Sequence, residues 1–438
     1  MIPLLKQRIG RLAAFAIVTL AASELIAAEP AAAPSKWLYS TAYAIPKHTT
    51  SEGSGYFSII EGKNHHIYIG AAKYGSNAYL VDFDPKTKQM SVAVDCMKEI
   101  GSSATGFAAQ AKIHTRNNIG PSGKIYFGTK QGYPKPDSAE KRTDYLGGYP
   151  MVFDPATGKT RVYDIPVPHQ GIISVTPDES RNVAYISTCS DERPIESTHF
   201  MVLNLQTGKY RDLLDCRHMY AFIVVDAQGR AYHPILGGEI ARYDPATEKL
   251  QRLKQTIDGQ SPAKESFLAD PESHPINWDI SPDKKTLWSV AMSGNALFSC
   301  DLSGEGETLI GRWHGPIIPS AKATDCRAMC VSPRGTIWMG VAATFADNKQ
   351  FLHLASYKPG DKACVDHGPI AIKNPDYTQF KDADGKDLPF HHGVYKYDDG
   401  TLLPRYVVMG ICAAEDETVY VTTLAPFTLH AIRLDEQK

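Results

Sequence analysis

The chain has 438 residues, 43% of them hydrophobic, with 46 Lys and Arg against 48 Asp and Glu and a formal net charge of -2. So even a balance excludes a global field for nucleic acid or anionic membrane surfaces, and any charged ligand must be met by local clustering. The 34 Gly and 29 Pro are spread along the chain with no Ser/Gly-rich or charge-rich linker, which argues for one large all-β unit.

At the start, Lys6, Arg8 and Arg11 precede an apolar run from Leu12 to Ala22 that is too short to span a bilayer, and Ala27 and Ala28 stand before Glu29. This is the layout of a secretory signal peptide over residues 1–28, cleaved after Ala28 or, alternatively, Ala22. The mature chain, 29–438, is expected to be a single-domain, secreted or periplasmic monomer without membrane insertion. Eight cysteines in an exported chain permit disulfides, but their irregular spacing reads mainly as small core residues. Cys326 and Cys330, four apart in an apparent strand, are expected on one face and roughly 13 Å apart, beyond disulfide reach.

From residue 66 onward one unit recurs: an inner strand, a polar turn, a second strand carrying an aromatic residue, and a third strand often ending in Asp-Pro. The second strands read HIYIGAA (66–72), KIYFGTK (124–130), VAYISTC (183–189), RAYHPIL (230–236), TLWSVAM (286–292), TIWMGVA (336–342) and TVYVTTL (418–424). Copies spaced in this way predict an all-β, seven-bladed β-propeller, with six or eight blades as the alternatives. In the Asp-Pro-Ala-Thr-Gly-Lys turns, Pro presets φ and Gly supplies the left-handed residue. The seventh copy ends after its third strand, so Trp37–Pro46 is expected to add the fourth and close the ring. Three long interruptions, Gln131–Gly148, Thr256–Ser273 and Pro369–Pro404, are expected to be lids or accessory hairpins.

In such a fold the connections entering the inner strands, and the loops between second and third strands, open on one face around the central channel, where function is usually sited. The first two blades place Tyr56, Lys73, Tyr74, Phe107, Lys130, Gln131 and Tyr133 there. The third and fourth add His169, Gln170, Cys189, Asp191, Glu192, Arg193, Cys216, Arg217, His218, Tyr220 and His233. The rest contribute His274, Asn277, Asp279, Asp325, Cys326, Arg327, His391, His392 and Arg405. A near-neutral chain thus gathers Arg, Lys and His at one mouth with few carboxylates, which favours an anionic ligand. No Gly-rich phosphate loop, GxSxG elbow, HExxH helix or CxxCH site occurs, and Asp191, Glu192, Asp279 and Asp325 have no spacing that identifies a glycosidase pair.

The segments PHQGIIS (168–174) and CRHMYAF (216–222) bring His169, Arg217, His218 and Tyr220 to the starts of adjacent inner strands, with His233 on a neighbouring second strand. That set suits β-elimination on a uronate sugar, where a cation neutralises the C6 carboxylate, a base removes the C5 proton and an acid protonates the leaving oxygen. Arg217 or Arg327 fits the first role, His218 or His169 the second, and Tyr220 or a second His the third. Lys73, Lys130, Tyr133, Arg193, His274, Asn277, Arg327 and His392 are candidates for holding the sugar. The bland alternatives are a solvated or hydrogen-bonded His, a packed Tyr220, and exposed strand ends at Lys73 and Lys130. Cys189, His199 and Cys216, with His218, offer ligands for a structural zinc or other divalent ion, although their spacing matches no compact zinc motif. A Cys189–Cys216 disulfide is the alternative, and no other cofactor is implied.

Exported seven-bladed propellers with His, Tyr and Arg at the channel mouth resemble the propeller-type polysaccharide lyases, including ulvan lyases and, more distantly, oligogalacturonate lyases. The resemblance covers the architecture of most of the mature chain and the residue types at the mouth. The tail LPRYVVMGICAAEDETVYVTTLAPFTLHAIRL is also similar to propellers exported by environmental bacteria that degrade polysaccharides. The resemblance implies a lyase acting on an acidic, uronate-containing polysaccharide or oligosaccharide. A hydrolase of the same glycan and a non-catalytic glycan- or protein-binding propeller stay open beside it, while a quinone- or metal-dependent oxidoreductase lacks a cofactor motif.

Overall fold

The computed structural model describes residues 36–437 apart from 52–54, 135–138, 190–197, 216–221, 236, 262–275, 292–293, 378–393 and 405–409. Among the described residues its strands fall into seven four-stranded antiparallel groups, the second with a broken inner strand, and one separate two-stranded hairpin. The second strands, Ile67–Lys73, Ile125–Lys130, Val183–Cys189, Ala231–Pro234, Thr286–Ala291, Ile337–Thr344 and Val419–Thr423, coincide with the aromatic repeat. They are buried on both faces, because each blade is covered by its two neighbours, and they therefore read as near-continuous apolar runs rather than as half-polar alternation. The inner strands contact one another in sequence around a closed ring, Gly55–Glu61 of the first blade meeting Gly410–Ala413 of the seventh.

The turns between third and fourth strands form as their sequences dictate. Asp84 accepts from the backbone N–H of Lys86 at 2.8 Å and from the Thr87 hydroxyl at 2.9 Å, and Asp244 repeats this with Ala246 and Thr247. The left-handed residue that follows is Gly158 in the second blade (φ 66°) but Lys88 (φ 61°) and Glu248 (φ 56°) in the first and fourth. There the Asp side-chain bonds hold the turn without a glycine.

Closure follows the expected route and adds to it. Leu38–Ala44 is the outermost strand of the seventh blade, with Thr41–Ala44 antiparallel to Thr428–Ala431. Its first half also pairs in parallel with the outer strand of the sixth blade, Leu38 opposite Ile370 and Ser40 opposite Ile372. Each half then has one spare edge, and a side-chain amide fills each. Gln437 accepts from Tyr39 N–H at 2.8 Å and donates to its carbonyl at 2.9 Å; Asn374 does the same for Ala42 at 2.8 and 2.9 Å.

Three expectations need correction. Thr256 and Ile257 belong to the strand Lys249–Ile257, which pairs in parallel with the fifth blade's outer strand. Pro369–Ile372 completes the sixth blade's strand Val365–Ile372, and the accessory hairpin of that interruption is Val394–Lys396 with Leu402–Pro404. Cys326 and Cys330 are both free thiols, but a register shift between Asp325 and Ala328 turns them to opposite faces of the sixth blade, one packed with Trp288 and Ile317, the other with Ile411 and Val419. No helix among the described residues is long and apolar enough to cross a membrane.

Candidate functional site

The second blade's inner strand is broken into Lys112–Ile113 and Asn118–Ile119, and the stretch KIHTR carries a basic residue at every second position. Ile113 packs into the sheet with Leu80, Ile125 and Phe127. Lys112, His114 and Arg116 instead meet groups around the channel, in order from its mouth inward. Lys112 lies directly opposite Lys130 in the strand register, and both are 0% exposed. The neighbouring blade makes room for this pair with Gly171, where a Cβ would lie 2.2 Å from Lys130 Cγ.

Two tyrosines cover the lysines. Lys112 Nζ stands 4.4 Å from the Tyr133 ring centroid and 5.8 Å from that of Tyr74, and the two rings meet edge to face at 5.5 Å. An ammonium at such distances is attracted by the ring quadrupoles. Tyr133 is 55% exposed, so it forms the solvent side of the site. Behind it, Gln110 accepts from the hydroxyls of Thr129 at 2.7 Å and Tyr145 at 2.9 Å and donates to the Gly147 carbonyl at 2.8 Å, fixing the ends of the 131–148 segment.

Deeper in the channel the character changes. His114 packs against Phe57 at 5.6 Å, and Phe57 meets Phe222 of the fourth blade at 5.0 Å. Trp278 of the fifth blade donates its indole N–H to the Phe222 carbonyl at 2.5 Å. Beyond this aromatic layer, Arg116 donates to the Trp278 carbonyl at 2.6 Å and to Asp279 Oδ2 at 2.5 Å. Cations and tyrosines thus gather at the mouth, and aromatic side chains of several blades meet beneath them. Such a site can neutralise an anion and stack a ring against it.

Solved structures similar to the chain over most of its length include two with TM-scores above 0.5. "Streptogramin B lyase structure" aligns at 13% identity with a TM-score of 0.52, covering 90% of this chain and 97% of that one. A chain of "Crystal Structure of Mitotic Checkpoint Complex" aligns at 8% identity with a TM-score of 0.51, covering 97% and 99%. The fold is a β-propeller. No protein-family model matches the sequence, and no curated protein matches it.

Several residues singled out from the sequence gather in this propeller. Lys130 and Tyr133 join Lys112 and Tyr74, and Lys73 extends the same rim, its Nζ donating to the His48 carbonyl at 2.9 Å. Asn277 and Arg327 meet between the fifth and sixth blades, Asn277 Nδ2 donating to the Arg327 carbonyl at 2.7 Å, while Arg327 Nε is held by both Asp325 oxygens at 2.9 and 3.0 Å. His169 is exposed, with φ 63°, and its Nδ1 donates to the Tyr145 carbonyl at 2.6 Å. That contact holds the ring through Nδ1.

His233 is 0% exposed and stacked on Phe200 at 5.1 Å; Nδ1 donates to the Pro234 carbonyl at 2.6 Å, and Nε2 takes the Ser187 hydroxyl at 2.9 Å, tying the third blade to the fourth. Cys189 is buried, and His199 pairs with Asp212 at 2.6 Å. Among the described residues no group of three His, Cys, Asp or Glu side chains is placed to hold a metal ion. Arg193, Cys216, Arg217, His218, Tyr220, His274 and His392 lie outside the described residues. The residues the sequence reading passed over are Lys112, His114 and Arg116, and the alternation KIHTR was the signal for them.

Proposed function

We propose that the channel mouth binds an acidic, uronate-containing sugar chain and cleaves it by β-elimination, in a protein exported to the periplasm or beyond. The observation that carries this reading is the cross-strand pair of buried lysines, Lys112 and Lys130, beneath Tyr74 and Tyr133. Two lysine side chains brought side by side on adjacent strands concentrate positive charge at the mouth, which suits an anionic ligand. In elimination, the lysines neutralise the C6 carboxylate and so acidify the C5 proton. A flanking imidazole takes that proton: His169 is exposed and held through Nδ1, and His218 precedes Phe222 by four residues in the chain. Arg217 and Tyr220, in the same segment, supply a further cation and the acid for the leaving oxygen. That a protein of this fold is titled a lyase is in keeping with this class of reaction.

The test is incubation with polygalacturonate, alginate, hyaluronan and ulvan while following the ultraviolet absorbance of unsaturated uronate, a product that neither hydrolysis nor binding creates. His218→Ala should lower turnover by about 10²–10⁴-fold with affinity little changed, as expected for a positioned general base. Lys112→Met should weaken both, because the carboxylate contact exists already in the ground state. Confirmed binding of these polymers with no unsaturated product from the wild type overturns elimination and leaves a binding propeller.

A further inference from the structure

The closing strand has an outer face with no part in the channel. Leu38, Ser40 and Ala42 are buried, while Tyr39, Thr41 and Tyr43 turn the other way and, with Tyr420, line a groove of about 800 Å³ between the seventh blade and the Asp84–Gln89 turn of the first. Tyr39 is 43% exposed. Lys36, Lys88, Lys373 and Arg433 stand along this groove, with Asp416 and Glu436 as its carboxylates. Both carboxylates are engaged by Arg433, at 3.3 and 3.2 Å, so among the described residues the three lysines have no acidic partner.

We infer that this rim groove is a second binding site for an acidic sugar chain, remote from the channel mouth. Tyr39 and Tyr43, four positions apart on one strand and so about 13 Å apart, both line this groove, Tyr39 exposed and Tyr43 half-buried with its ring 4.8 Å from that of Phe83. A polymer fits that span, pyranose C–H faces lying on the tyrosines and carboxylates meeting Lys36, Lys88 and Lys373. Charge complementarity selects an acidic chain over a neutral one. The ligand class rests on the function proposed above. One polymer held at the rim and at the mouth binds with an effective concentration set by the chain between them, so the groove adds to retention on polymer and not to binding of short fragments.

The test uses the full mature chain carrying Tyr39→Ala, Lys88→Glu and Lys373→Glu, compared with wild type by mobility in native gels containing polygalacturonate, alginate or neutral dextran. The variant should lose about tenfold or more in retention by the acidic polymers, while turnover of short uronate oligosaccharides is unchanged and dextran retards neither protein. Lys88→Arg with Lys373→Arg should retain wild-type mobility. Unchanged retention in the triple variant, no retention of wild type by either acidic polymer, or equal retention by dextran overturns the groove. If wild type makes no unsaturated product from any uronate, yet its retention depends on these lysines, the reaction assigned to the mouth fails and the groove stands.

Discussion

His430 is fully buried, and burial alone pushes its pKa down to about 3. The Ser40 hydroxyl donates to the Ala371 carbonyl at 2.9 Å and so must accept from His430 Nδ1, also at 2.9 Å, which leaves Nε2 to accept from Thr423 at 2.9 Å. A neutral imidazole with its proton on Nδ1 therefore sits between the closing strand and the last blade. In the unfolded chain the ring returns to a pKa of about 6.5, so below that pH the unfolded state binds more protons. The stability that depends on neutral His430 is complete above about pH 6.5 and is lost as pH falls from there toward 3. Burial lowers the pKa of His314 and His367 too, which adds in the same direction. Unfolding midpoints measured from pH 7 to pH 4 should fall steadily, and His430→Gln, weaker at neutral pH, should show a shallower fall. An identical slope in the variant would assign the acid sensitivity to other groups.

The closing strand shows how side chains can finish what backbone pairing leaves open. Ala42 is 1% exposed, so losing its amide partner in Asn374→Ala leaves a buried N–H and carbonyl unsatisfied, a change expected to cost about 1–3 kcal/mol. Tyr39 is exposed enough for water to replace Gln437, so Gln437→Ala should cost less than about 1 kcal/mol. Thermal unfolding, with amide exchange across residues 38–44, checks the order; equal effects would mean that burial does not decide it. The strand itself was legible because the seventh copy lacks a fourth strand, and the second strands because an aromatic residue recurs in each. Its two amide caps were not, since Asn374 and Gln437 belong to no repeat and lie more than three hundred residues from their partners. The mouth was legible only in part: Lys130 and Tyr133 follow a recognisable second strand, whereas Lys112 starts an inner strand too broken to show the repeat. His233 stands at the mouth end of its strand in sequence, but its contacts to Phe200 and Ser187 of the third blade had no signal in the repeat.

Around the whole ring, side chains stitch each blade to the next. Ser58 bonds Asn117, Asn118 the Val175 carbonyl, Thr176 the Ile223 carbonyl, Trp278 the Phe222 carbonyl, Asn277 the Arg327 carbonyl, Arg334 the Glu415 carbonyl, and Glu61 the Glu415 N–H. All of these are neighbour contacts, so a ring held by them alone should behave like a repeat array, in which one interface loosens with little effect on the opposite side. Arg116 is different. It reaches across the channel from the second blade to the fifth, and its partner Asp279 also accepts the Val331 N–H of the sixth at 2.7 Å, so one mostly buried ion pair joins three blades. Removing one partner of such a pair leaves the other charge uncompensated, with a cost on the order of 3 kcal/mol, whereas replacing both with apolar residues restores part of it. Arg116→Ala and Asp279→Ala should each lower the Tm and broaden the unfolding transition, and Arg116→Met with Asp279→Leu should recover much of the loss. Because the pair is shielded from solvent, the deficit should persist at high salt. If Arg116→Ala unfolds at the wild-type temperature in one equally sharp transition, the cross-channel ion pair contributes nothing to holding the ring together.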